Sequence, residues 1–141
     1  MSLNKVVLLL GSNLGDKEFN INQALTIIAE RVGNILESSD IEKTSPVEFV
    51  SSHNFLNIAV VLETECSPMK TLSIVKEIER EMGRLEDSRS KGFYSDRIID
   101  IDIVTFGKLI FKSRKLTIPH NKHLYERDFS RELLNNLSIT Y

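Results

Sequence analysis

The chain opens on a short unbroken apolar run, Val6-Val7-Leu8-Leu9-Leu10, which stops at Gly11. Such a run, rich in branched side chains and bounded by glycine, predicts a buried central strand. Gly11-Ser12-Asn13-Leu14-Gly15-Asp16 has turn chemistry, and Asp16 is placed to cap a helix starting at Lys17. From Lys17 to Val32 the apolar positions Ile21, Ala24, Leu25, Ile28 and Val32 keep to one helical face, and Gly33 ends the helix. Ile35 to Lys43 predicts a weaker strand, because Glu37, Ser38, Ser39 and Asp40 crowd its middle. Thr44 to His53 reads as a polar loop, and Phe55 to Thr64 as a strand that is apolar on both faces except at Asn57.

Ser67-Pro68 then supplies an N-cap followed by proline at the first helical position. Met69, Leu72, Val75, Ile78 and Met82 form the expected buried stripe of this second helix, closed by Gly83. Arg84 to Asp96 is charged and polar without periodicity, so a mobile loop is expected there. Arg97 to Phe106 predicts the last main strand, with Gly107-Lys108 turning it into a short return strand, Leu109 to Lys112. Leu124 to Leu137 has room for a helix. Strand–helix–strand–strand–helix–strand is the split βαβ order of an α+β, ferredoxin-like sandwich. Its antiparallel sheet carries both helices on one face and leaves the other for ligand. One domain is expected over residues 1–141.

Composition narrows the class of partner. Lys plus Arg total 18 against 20 for Asp plus Glu, a net charge of −2, which speaks against a broad polyanion surface and hence against nucleic acid. Val6 to Leu10 is far shorter than the ~20 residues that span a bilayer, and the start lacks the pattern of a secretory signal. Cys66 is the only cysteine, so neither an intrachain disulfide nor a multi-cysteine metal site is available. A cytoplasmic monomer that binds no membrane is the expectation.

The most informative triplet is Asp100-Ile101-Asp102. On a strand its two carboxylates share one face about 6–7 Å apart, and can hold hard cations that also bind substrate phosphates. Two aspartates on a solvated sheet face explain the pattern about as well. Arg84, Arg89, Lys91 and Arg97 lie nearby in sequence and suit an anion bridged by metal, although each alone reads as a surface cation. Neither a Walker phosphate loop nor a dinucleotide glycine motif occurs, so metal and side chains would have to hold any nucleotide. His120 follows Pro119 and could donate to phosphate, while His123 reads as a surface residue. Phe55 and Asn57 share a strand face beyond Thr44 and Pro46. An aromatic plate beside an amide suits a flat heterocycle, though core packing is the plainer reading of Phe55.

Taken in order, these segments resemble the 6-hydroxymethyl-7,8-dihydropterin pyrophosphokinases of folate biosynthesis. The resemblance runs through Leu10-Gly11-Ser12-Asn13-Leu14-Gly15-Asp16, Thr44-Ser45-Pro46-Val47, Phe55-Leu56-Asn57, Glu79 and Gly83-Arg84. Asp96-Arg97-Ile98-Ile99-Asp100-Ile101-Asp102-Ile103, Leu116-Thr117-Ile118-Pro119-His120 and Glu126-Arg127-Asp128-Phe129 complete it. It implies a transferase that uses ATP, releases AMP, and holds two Mg2+ ions on Asp100 and Asp102. Arg84 and Arg97 would meet the phosphates as catalytic groups, with His120 and Arg127 assisting. Glu79, Ile103, Lys115, Leu116 and Thr117 would belong to the adenosine side, in part through backbone groups. Phe55 and Phe129 would sandwich the pterin, with Thr44, Ser45, Val47 and Asn57 on its edge.

The chain departs from that pattern at Tyr94-Ser95-Asp96-Arg97, where many members have Trp-Gly-Pro-Arg, and at Glu86, where some have arginine. Arg89 or Lys91 is the expected substitute for that charge when the loop closes over triphosphate. Two other classes compete with this reading. A catalytically dead pterin- or nucleotide-binding module would have lost the two aspartates, and an RNA-binding domain of the same topology would show exposed aromatics on a basic face.

Overall fold

Val6 to Leu10 are buried because the strand that carries them lies between two covered faces. The computed structural model describes residues 3–44, 54–83, 98–120 and 128–137. In chain order the elements are β1 (Asn4–Ser12), α1 (Lys17–Arg31), β2 (Gly33–Ser38), β3 (Glu42–Thr44), β4 (Phe55–Thr64) and α2 (Pro68–Glu81). They continue with β5 (Asp100–Phe106), β6 (Phe111–Lys112), β7 (Thr117–Ile118) and α3 (Asp128–Asn135). The main sheet runs β2-β4-β1-β5 and every pairing in it is antiparallel, with β3 continuing beside β4 where β2 leaves off. With α1 and α2 as its crossovers, this is the ferredoxin-like order.

The first two helices, α1 and α2, begin where their sequence signals. The Asp16 side chain accepts from Phe19 N–H at 3.1 Å, and Ser67 Oγ accepts from Lys70 N–H at 3.1 Å with Pro68 next. The two helices cover one face of the sheet. Ile21, Ala24, Ile28, Ile74, Val75 and Ile78 pack there on Val6, Leu8, Leu10, Ile58, Val60, Leu62, Ile99, Ile101 and Ile103. Their far ends are joined by Arg31, whose guanidinium forks onto Glu81 at 2.6 and 3.3 Å.

Four expectations need correction. The strand expected over Ile35 to Lys43 is two strands, since Ser39 breaks it. The Ser39 hydroxyl accepts Ala59 N–H at 2.9 Å, taking the place of a ladder carbonyl. The buried stripe of α2 is Thr71, Ile74, Val75, Ile78 and Glu79, with Met69 exposed in the first turn. A polar residue stands at each end of that stripe, where an apolar pattern cannot register it. The return strand after Gly107 does not pair with β5. Phe111–Lys112 instead meets Thr117–Ile118 in a separate two-stranded ribbon, leaving Leu109 and Ile110 exposed.

Last, the second sheet face is not given over wholly to ligand. Leu133, Leu134 and Leu137 of α3 and the turn after it cover Val7, Leu9, Ala59, Val61 and Val104. Among the described residues, the end of that face beyond Leu9 is the part that α3 leaves for a site. No helix among the described residues is long and apolar enough to cross a membrane.

Candidate active site

The end of the second face that α3 does not cover is defined by strand register; Gly11 and Asn57 are buried there and Asp100 is half-buried. Gly11 of β1 lies opposite Asn57 on β4 and opposite Asp100 on β5, while Leu9 lies opposite Asp102. Asn57, Gly11 and Asp100 therefore form one row across three adjacent strands. At about 4.8 Å per strand, Asn57 and Asp100 stand roughly 10 Å apart over a glycine that presents no side chain. Alternation puts Phe55 and Asp102 on the same face, one step from the row in opposite directions, Asp102 toward Leu9 and Phe55 past the Ser12 end of β1. Ile99, Ile101 and Ile103 point the other way into the helix-side core, as their alternation with the aspartates requires.

The Gly11 floor is close-fitting. A Cβ at that position would lie 2.8 Å from Asn57 Oδ1 and 3.3 Å from the Phe55 ring. In the sequence Gly11 reads as the end of a strand, and only the register reveals it as the bed on which Phe55 and Asn57 rest. The turn beyond it is fixed from within. Ser12 and Asn13 are fully buried, and the Asn20 amide donates to Ser12 Oγ at 3.2 Å and to Leu14 C=O at 2.8 Å. At the neighbouring strand end, Lys17 Nζ donates to Asn54 C=O at 3.0 Å and so anchors the approach to Phe55.

Asp100 and Asp102 are half-buried, on one face of a strand that is an edge among the described residues. Their carboxylates are hard oxygen donors on the face opposite the apolar core, a chemistry that fits Mg2+. Among the described residues no group of three or more His, Cys, Asp or Glu side chains is gathered for a metal. A cation here would complete its shell with substrate oxygens and water, which is how Mg2+ binds in phosphoryl-transfer sites. Behind β5 the His120 N–H donates to Val104 C=O at 2.8 Å, docking the segment after β7 beside the same strand.

The residues expected on the adenosine side are placed unequally. Lys115 and Thr117 are exposed on the β6–β7 ribbon. The side chains of Ile103 and Leu116 belong to the helix-side core, so neither lines a surface. Ser113 already engages both backbone groups of Leu116: its N–H and hydroxyl donate to Leu116 C=O, and its Oγ accepts Leu116 N–H. Glu79 is 1% exposed and faces β5 from α2, so its side chain has almost no surface to offer a nucleotide. Arg84, Arg97, Arg127, Ser45 and Val47, with Arg89 and Lys91 of the expected lid, lie outside the described residues. Thr44 pairs by its backbone with Phe55, and Phe129 falls in the first turn of α3, but the side chains of both lie outside the described residues.

Fold and site together define a ferredoxin-like domain with a carboxylate pair set beside an aromatic–amide plate. Residues 7–138 match the family model for 7,8-dihydro-6-hydroxymethylpterin-pyrophosphokinase, and the chain belongs to that family. It is 41% identical over 136 residues to the 2-amino-4-hydroxy-6-hydroxymethyldihydropteridine pyrophosphokinase of Porphyromonas gingivalis, covering 94% of this chain and 90% of that protein. The enzyme of the same name from Bacillus subtilis is 32% identical over 127 residues, with 89% and 73% covered. Among solved structures, a Plasmodium falciparum HPPK-DHPS triple mutant with STZ-DHP superposes with a TM-score of 0.71 at 18% identity. That match covers 96% of this chain but 40% of the larger one, and it speaks for the fold alone.

Proposed function

We propose that the chain, acting as one catalytic domain over residues 1–141, transfers pyrophosphate from ATP to 6-hydroxymethyl-7,8-dihydropterin in folate synthesis. The observation that carries this reading is the row Asn57–Gly11–Asp100. It sets a heterocycle plate and a carboxylate pair side by side on one sheet face. In the proposed reaction the pterin hydroxymethyl oxygen attacks the β-phosphorus of ATP in line. A new O–P bond forms, the bond from the β-phosphorus to the α–β bridging oxygen breaks, and AMP departs with that oxygen. The hydroxyl proton passes to water or to one of the two carboxylates.

Phe55 supplies a stacking face and Asn57 an edge amide, so the pterin is held with its hydroxymethyl arm toward β5. Phe129 stacks on the opposite ring face, and Thr44, Ser45 and Val47 bond the ring edge. Asp100 and Asp102 hold two Mg2+ ions, which when bound neutralise charge on the triphosphate and on the departing AMP. Arg84 and Arg97 grip the phosphates, with His120 and Arg127 alongside. Rate acceleration of this kind rests chiefly on alignment and fixed charge.

Product analysis tests the reading. With ATP and the hydroxymethyl-dihydropterin, AMP and pterin diphosphate should appear in equal amounts, with no AMP when the pterin is left out. Stoichiometric ADP would make the chain an ordinary kinase and overturn the proposal.

A further inference from the structure

A buried carboxylate is costly unless both of its oxygens find partners, and among the described residues each oxygen of Glu79 has one. Its Oε2 accepts the backbone N–H of Ile101 at 2.8 Å, and its Oε1 lies 3.3 Å from Lys76 Nζ. The first contact falls at a telling place. Ile101 is the residue between Asp100 and Asp102, and among the described residues β5 is an edge of the main sheet, flanked there by β1 alone. An edge strand has one row of backbone groups that no neighbouring strand holds in position. Glu79 reaches over from α2 and takes the member of that row lying midway between the two aspartates.

We propose that Glu79 is a positioning residue for the carboxylate pair. By holding the Ile101 peptide it fixes the spacing and direction of Asp100 and Asp102, and with them the affinity of the site for divalent cations. It works from the core side of the strand and need not touch substrate. The inference rests on the reading of Asp100 and Asp102 as metal ligands. It is an alternative to the expectation that Glu79 lines the adenosine site, and the experiment below separates the two.

Two uncharged variants separate the acceptor from everything else. Glu79→Gln keeps a carbonyl oxygen for Ile101 N–H, whereas Glu79→Met fills similar space without one. Mn2+ binding is read from the spectrum of the free ion in the presence of a non-hydrolysable ATP analogue. Amide exchange at Ile101 and analogue affinity in EDTA are measured alongside. Glu79→Met should weaken Mn2+ binding by about 10-fold or more, as loss of a ligand-orienting partner does. It should also accelerate exchange at Ile101 and leave analogue affinity in EDTA within about twofold of wild type. Glu79→Gln should restore most of the Mn2+ affinity, and Lys76→Ala should match wild type.

Unchanged Mn2+ affinity in folded Glu79→Met overturns the inference. So does an equal loss of analogue affinity with and without metal, which would make Glu79 a nucleotide contact. Should Glu79→Met fail to fold, the wild-type Ile101 amide decides: exchange as fast as at an unprotected site rejects the proposal. A wild-type protein that binds Mn2+ with the analogue yet makes no AMP would refute the proposed reaction and leave this inference standing. Mn2+ affinity unaffected by a double Asp100→Ala/Asp102→Ala change would remove the metal site itself, and the inference with it.

Discussion

Gly11 needs to be glycine for want of space rather than for its backbone conformation. Among the described residues the glycines with positive φ are Gly15, Gly83 and Gly107, and Gly11 is not among them. Gly11→Ala would set a methyl 2.8 Å from Asn57 Oδ1, the far end of a side chain that can swing, so the sheet should survive while the plate is displaced. Overpacking of this kind costs about 1–3 kcal/mol, or roughly 5- to 150-fold in an equilibrium constant. Calorimetry should therefore show pterin affinity falling within that range while affinity for an ATP analogue holds steady. Equal losses for both ligands would mean that Gly11 serves the sheet and not the pocket. The side chains of this site are legible from period two alone, since Asp100 and Asp102, like Phe55 and Asn57, must share a face. The bare position between them is not. A glycine that ends an apolar run looks like a stop until the register sets it between Asn57 and Asp100.

Elements are legible in the sequence where the signal is local and obscure where a distant partner decides. Both helix caps and the whole of β4 follow from nearby residues, and each stands where the sequence puts it. The break between β2 and β3 depends on Ser39 bonding Ala59, 20 positions away, which no window along the chain can register. The buried Glu79 has the same character, because its partner, Ile101, lies on another element. Gly33 at the head of β2 provides a test at this scale. A Cβ there would lie 1.8 Å from the Glu63 carbonyl oxygen and 3.1 Å from Thr64 Cα, both backbone atoms of the paired strand. Backbone cannot swing aside as a side chain can, so α1 and β2 would have to shift relative to β4. Gly33→Ala should lower unfolding free energy by at least the ~1–3 kcal/mol typical of overpacking, measured by urea titration. A change under about 0.5 kcal/mol, the level of an ordinary surface substitution, would contradict this account of the junction.

Over the whole molecule, the apolar character of β1 on both of its faces requires two covers, and α1 with α2 can provide only one. The second cover is α3, whose Leu133 and Leu134 are buried on Val7, Leu9, Ala59, Val61 and Val104. A second face left open to ligand underestimates β1, because a continuous buried run carries as much apolar surface on one side as on the other. The consequence is a division of labour on a single face: its inner part is core, and its outer part, past Leu9, is the candidate site. Leu134→Ala should then cost about 2–5 kcal/mol of stability, as large-to-small changes in a core do, where a loosely attached tail would cost under ~1. Phe129 stands in the first turn of the same helix, so loosening α3 should disturb the proposed second stacking face as well. Pterin affinity in folded Leu134→Ala should fall more than ATP-analogue affinity, a difference that calorimetry at 10–15 °C below the variant's midpoint can resolve (about 2–4 °C of Tm per kcal/mol sets the window for a domain near this size). A fully stable variant would show that α3 does not complete the core. A destabilised variant with undiminished pterin affinity would show that α3 has a structural role only, and would leave Phe55 as the single plate.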